Sequence, residues 1–139
     1  MNRIAKKCYT FFVALLFLTI TLGNSSDSNT VEILKQSLQR GQAHQLSMLF
    51  DKQIELVIES ETVDFPSVSA NHAELILQSF FRKHPPRRFQ YIYQGNTTKL
   101  RYSTGIYETQ DQAFSVYVLM RQDAHRQLVI NTLHVRKNK

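Results

Sequence analysis

From Phe89 to Val135 the chain reads as four strand-like runs in succession: Phe89–Gln94, Lys99–Glu108, Ala113–Gln122 and Leu128–Val135. The breaks between them, Gly95-Asn96, Thr109-Gln110-Asp111 and Asp123-Ala124-His125, are short and made of turn-compatible residues. Strands joined so closely pair as antiparallel neighbours, because a parallel pair needs a long crossover. The C-terminal half is therefore committed to a mainly antiparallel sheet, and whatever precedes it must cover one face of that sheet.

What precedes it is mostly helical in pattern. Asn29 or Thr30 can cap a helix whose apolar positions Val31, Leu34 and Leu38 fall at i, i+3 and i+7. Arg40 suits its last turn and Gly41 its end. A second short helix spans about Ala43 to Phe50, with Leu46, Leu49 and Phe50 on one side. The period then changes from helix to strand. Ile54, Leu56 and Ile58 alternate with Glu55, Val57 and Glu59, which places both glutamates on the face turned to water. Phe65-Pro66-Ser67 interrupts this pattern, and Ser69 can cap a third helix running to about Lys83 along the stripe Ala73, Ile76, Leu77, Phe80 and Phe81. His84-Pro85-Pro86 stops that helix, since two prolines cannot continue its ladder. The order is helix, helix, strand, helix, then four strands: an α+β domain with about three N-terminal helices packed on a mainly antiparallel sheet.

The first residues follow a different logic. Arg3, Lys6 and Lys7 precede a run from Cys8 to Leu22 that contains no charge, and Gly23 is followed by the polar stretch Asn24 to Asn29. A basic start, an apolar middle and small residues at a cleavage point make a secretory signal peptide over residues 1–23. The apolar run of about 15 residues is shorter than the roughly 20 that a spanning helix needs, so a retained N-terminal anchor is the alternative and not the first reading. Cleavage leaves a single domain over residues 24–139, exported to the periplasm or secreted, with no stable membrane insertion. Loss of Arg3, Lys6 and Lys7 takes the formal charge from +6 to +3, too little to argue for a polyanionic partner. Cys8 leaves with the leader, which excludes thiol catalysis, a disulfide and a zinc–thiolate cluster in the exported domain. A hydrophobic share of 42% with 11% aromatics excludes disorder for the remainder.

The element order resembles the nuclear transport factor 2-like fold, in which a curved sheet wraps around helices as a cone. Local wording narrows the likeness. Leu38-Gln-Arg-Gly-Gln-Ala-His-Gln-Leu46, Ile54-Glu-Leu-Val-Ile58, Ala73-Glu-Leu-Ile-Leu-Gln-Ser-Phe-Phe81, Tyr102-Ser-Thr-Gly-Ile-Tyr107 and Ile130-Asn-Thr-Leu-His-Val135 together resemble an exported Bacteroidetes family, domain of unknown function 4783. That resemblance implies the cone fold and an exported location. It implies no functional residue, because the family has no assigned site.

The residues themselves offer few catalytic groups. No Asp lies inside an expected strand, and Glu108 ends its strand beside a turn. None of His44, His72, His84, His125 and His134 forms a helical ligand pair, so neither a metal nor a cofactor is expected. His134 should share a strand face with Ile130 and Thr132, and can reach a pocket if that face is concave. The four isolated glycines make no phosphate loop, and no Gly-x-Ser-x-Gly turn presents a nucleophile. Arg82-Lys83-His84-Pro85-Pro86-Arg87-Arg88 is the densest basic cluster, but its first members suit a helix C-terminus, and export removes the protein from most nucleic acid. The tyrosines are the more suggestive set. Tyr91 and Tyr93 are expected on one strand face with Phe89, and Tyr102, Tyr107 and Tyr117 on neighbouring strands. Tyr joins apolar area to a hydroxyl, which suits an amphipathic ligand or a protein surface. The expectation is a non-catalytic module binding a small ligand or an envelope protein, with a homodimer through the sheet left open. The alternative is a small isomerase- or hydrolase-like enzyme using Glu108 or His134 as its base. A cone filled by Phe, Leu and Ile would leave only protein interaction.

Overall fold

The computed structural model of the protein describes residues 25–139; the leader expected at residues 1–23 lies outside them. Helix α1 (Ser25–Arg40) and the single-turn helix α2 (Ala43–Ser47) lead into strand β1 (Phe50–Ile58). A 3-10 turn over Glu59–Glu61 connects it to β2 (Val63–Ser69), which runs directly into helix α3 (Ala70–Lys83). Strands β3 (Arg88–Asn96), β4 (Leu100–Glu108), β5 (Ala113–Gln122) and β6 (Leu128–Lys137) complete the chain. The six strands form one sheet in the order β2-β1-β6-β5-β4-β3, antiparallel throughout except for the parallel β1–β6 pair.

Several boundaries follow from local chemistry as expected. Gly41 adopts φ +63 just past α1, a left-handed conformation that costs glycine little and stops the helix. The Ser69 side chain caps α3 by accepting from the His72 amide at 3.3 Å, and His84 closes the helix before the two prolines. Other boundaries move. Helix α1 includes Asn29 and Thr30, so neither is its cap. Helix α2 ends at Ser47, because Phe50 instead pairs with Ile130 of β6 and starts β1. The stretch around Pro66, expected as a break, is strand β2: at a sheet edge the missing proline N–H forfeits no ladder bond. The sheet thus has six strands where the sequence pattern showed five. Asp51 and Asp64 consequently lie within strands, contrary to the expectation that no aspartate would.

The helices cover one face of the sheet, and a continuous apolar core fills the space between. Leu34 and Leu38 of α1, Leu46 of α2, and Leu77 and Phe80 of α3 are buried against Ile54, Leu56, Phe89, Tyr107, Phe114 and Val118 from the strands. Phe80 is the hub: its ring lies 5.0–5.8 Å from those of Phe81, His84, Tyr107 and Phe114. Offset and edge-on aromatic contacts of this kind add to the burial energy of each ring.

Two β-bulges decide which side chains face the helices. Tyr91 pairs with Gly105 and Tyr93 with Thr104, so the extra residue Ile92 sends Tyr91 and Tyr93 to opposite faces. Similarly, Leu119 pairs with Thr132 but Met120 with Ile130, leaving Asn131 as the extra residue. Ile130 therefore joins Leu133 and Val135 in the core, while Thr132 and His134 point to the other face. Both shared-face expectations, Tyr91 with Tyr93 and His134 with Ile130, are corrected by these bulges.

Candidate functional site

The outer face of the sheet, away from the helices, collects most of the residues singled out from sequence. Register aligns Tyr93, Thr104, Tyr117, His134 and Val57 across β3, β4, β5, β6 and β1. The adjoining rung is Gly95, Tyr102, Leu119, Thr132 and Glu55. The Tyr102 ring lies over Gly95, where a Cβ would stand 2.4 Å from Cζ, and it sits 5.8 Å from the Tyr93 ring. Its hydroxyl is held above the usual phenol range, chiefly by a hydrogen bond with Tyr93 and then by that neighbour's charge. The Tyr117 ring lies 5.8 Å from that of His134.

His134 is anchored from the next strand. Its Nε2 donates to Glu55 Oε1 at 2.8 Å, which ties the ring to β1. Glu55, expected on the solvent side, does face outward, but as the partner of His134. Beside this pair is a depression of about 280 Å³ with Ile92, Ile106 and Tyr117 in its lining and His134 and Arg136 at its polar side. Arg136 makes no ion pair among the described residues. Ile92 and Tyr93 are 60% and 55% exposed, so this surface is both apolar and accessible.

Tyr91 and Tyr107 belong to the inner face. The Tyr91 hydroxyl donates to the Val31 carbonyl of α1 at 2.8 Å, and the Tyr107 hydroxyl donates to the His84 carbonyl at the end of α3. Burial pushes both phenols well above their usual range. These two tyrosines latch helices to the sheet, whereas Tyr93, Tyr102 and Tyr117 form the outer set, the first exposed and the other two half-buried. The periodicity of FQYIY gave no sign of the division, because the bulge at Ile92 is set by the partner strand.

Glu108 stands at the margin of the outer face and accepts from Arg88 Nη2 at 3.1 Å. Neither Glu108 nor His134 lies between helices and sheet, where a base would be shielded from water. Among the described residues no group of three His, Cys, Asp or Glu side chains converges as a metal site. Two larger hollows, of about 500 and 490 Å³, lie near His44 and near Lys83. Both are open; in their linings His44 pairs with Glu74, and Lys83 and His84 both pair with Glu61, while Arg82 and Arg87 make no ion pair among the described residues. The Lys83 ammonium holds the Glu61 carboxyl below its ordinary range despite partial desolvation. Pairing of Lys83 with Glu61 and Arg88 with Glu108 neutralises two of the four Lys and Arg side chains of the basic cluster seen in the sequence. No helix among the described residues is long and apolar enough to cross a membrane.

No curated protein matches the chain. Among solved structures, it is similar to a DUF4783 family protein from Bacteroides ovatus, with 20% identity and a TM-score of 0.70 over 77% of this chain and 94% of that one. It is also similar to an NTF-2 like protein of unknown function from Silicibacter pomeroyi, with 11% identity and a TM-score of 0.60 over 82% of this chain and 94% of the other. A domain of unknown function with a cystatin-like fold from Nostoc punctiforme gives 11% identity and a TM-score of 0.64 over 87% of this chain and 80% of that one. These likenesses show an α+β fold of the NTF2-like and cystatin-like kind. The sequence profile of the family described as Domain of unknown function (DUF4783) matches residues 31–136, and the chain belongs to that family.

Proposed function

We propose that this chain is an exported, non-catalytic binding module of the cell envelope, and that it docks a protein partner on the outer face of its sheet. The observation that carries this reading is the depression between Ile92, Ile106 and Tyr117 on a face that the helices leave uncovered. The concave side, by contrast, is occupied by its own Leu, Ile and Phe side chains. An apolar hollow with a basic side, formed by the unpaired Arg136, suits a partner that inserts one apolar side chain flanked by a carboxylate. The aromatic ring set adds contact area at low entropy cost, as tyrosines do at protein interfaces. Export is supported by the three-part leader pattern of residues 1–23.

Two measurements test the reading. Ile106→Arg places a guanidinium in the hollow; with the chain as bait on an envelope fraction, a protein held by the parent should be lost from this variant and kept by Gln110→Arg, which lies in the turn after β4 and outside the lining of the hollow. Retention of the same set by all three would remove the outer face from consideration. For export, mass spectrometry of the periplasmic or secreted fraction should find an N-terminus near Asn24, whereas intact Met1 in membranes would support the anchor.

A further inference from the structure

The two edges of the sheet are defended unequally. Edge strands expose unpaired N–H and C=O groups, and natural proteins blunt them with proline, charge or cover. Strand β2 carries Asp64 and Pro66. Strand β3, at the opposite edge, carries a charge only at its first residue, Arg88, which pairs with Glu108: from Phe89 to Thr98 the ten residues FQYIYQGNTT contain no charge and no proline. Its cover is partial. Gln39 Nε2 of α1 donates to the Phe89 carbonyl at 3.2 Å and so closes the first half of the edge. Beyond the bulge at Ile92, a crevice of about 250 Å³ separates Val31 of α1 from Gln94, Gly95, Asn96 and Arg101, so the second half stays open. Ile92, Tyr93, Gln94 and Asn96 are all exposed there, the first two at 60% and 55%.

We infer that the Ile92–Asn96 segment of β3 pairs antiparallel with the same segment of a second copy of this chain, joining two sheets edge to edge about a two-fold axis. This inference shares Ile92 with the lining of the depression but rests on the backbone edge of β3, and its readout is self-association where that of the depression is capture of another protein. The occupant follows from charge. When a strand pairs with itself in reverse, every side chain meets another from the same short segment, and like charges opposite each other would oppose pairing. In an uncharged segment no register brings two charges together, so the edge is compatible with its own copy. The backbone ladder supplies the affinity, while Ile92 and Tyr93 lose exposed apolar area.

The test uses protein recovered from cells that express all 139 residues with Cys8→Ser, so that any introduced thiol is unique. Single cysteines at Ile92, Gln94 and Asn96 sample the β3 edge without assuming a register, and Ser67→Cys on β2 is the control. Mild oxidation should yield a disulfide-linked dimer from at least one β3 position and little from Ser67→Cys. In sedimentation, Ile92→Lys should weaken the dimer roughly tenfold with an unchanged circular dichroism spectrum. A monomeric parent chain, equal cross-linking through Ser67→Cys, cross-links to another protein in place of the dimer, or an unaffected Ile92→Lys dimer would each overturn the inference.

Discussion

Tyr107 is almost fully buried, yet its hydroxyl reaches the His84 carbonyl at the point where α3 has run out of helical partners. The one side chain thus packs against Phe80, Phe81 and Phe114 and satisfies an orphan acceptor. Tyr107→Phe keeps the ring and removes that bond, so it should cost about 1–2 kcal/mol in denaturant unfolding. The same variant should alter the alkaline limb. The folded phenol ionises above its unfolded value of about 10, so its contribution is complete below that pH and is lost as pH rises toward the folded value. The parent should therefore lose stability above about pH 10 more steeply than Tyr107→Phe. Glu61 acts at the acid end with the opposite sign. Its folded carboxyl is held below the ordinary value by Lys83 and His84, so its contribution is present above the unfolded pKa and is lost as pH falls through the folded one. Glu61→Gln should cost about 1 kcal/mol at neutral pH and less below about pH 4, measured by thermal unfolding across that range.

The strands divide the labour of the molecule through glycines and bulges more than through their apolar alternation. A Cβ on Gly105 would stand 2.5 Å from the Phe89 ring and 2.8 Å from the Gln90 carbonyl oxygen. One obstacle is a core ring and the other is backbone of the paired strand, so neither can move freely. The atoms nearest a Cβ on Gly95 all belong to the Tyr102 side chain, which lies on the half-exposed outer face and can swing away. Gly105→Ala should accordingly lose about 2 kcal/mol or more, and Gly95→Ala distinctly less, in paired equilibrium unfolding measurements. The same strands show how far sequence pattern reaches. Strands β4 and β5 were readable almost to the residue, because each alternates regularly against neighbours that do likewise. Strand β2 was not, because Pro66 is tolerable only at an edge, and edge position is a property of the assembled sheet.

At the scale of the whole molecule, the sheet has one face filled by helices and one left to the surroundings, and its candidate function rests on that asymmetry. The sequence by itself determined the elements whose causes lie within a few residues: the α3 cap at Ser69, its stop at Pro85-Pro86, the end of α1 at Gly41 and the succession of closely linked strands. Of the residues it singled out, Tyr93, Tyr102, Tyr117 and His134 come together on neighbouring strands. Only the tertiary structure decided which tyrosines share a face, because each bulge arises from competition between two strands over one register. It alone joined Glu55 to His134 across 79 positions of chain and turned Ile130 into the core beside Leu133. Periodicity records how a strand alternates, but not which side the helices will cover or which residue the ladder leaves over. Those outcomes belong to the packing of the sheet as a whole, where burial of the inner face fixes the address of every side chain on the outer one.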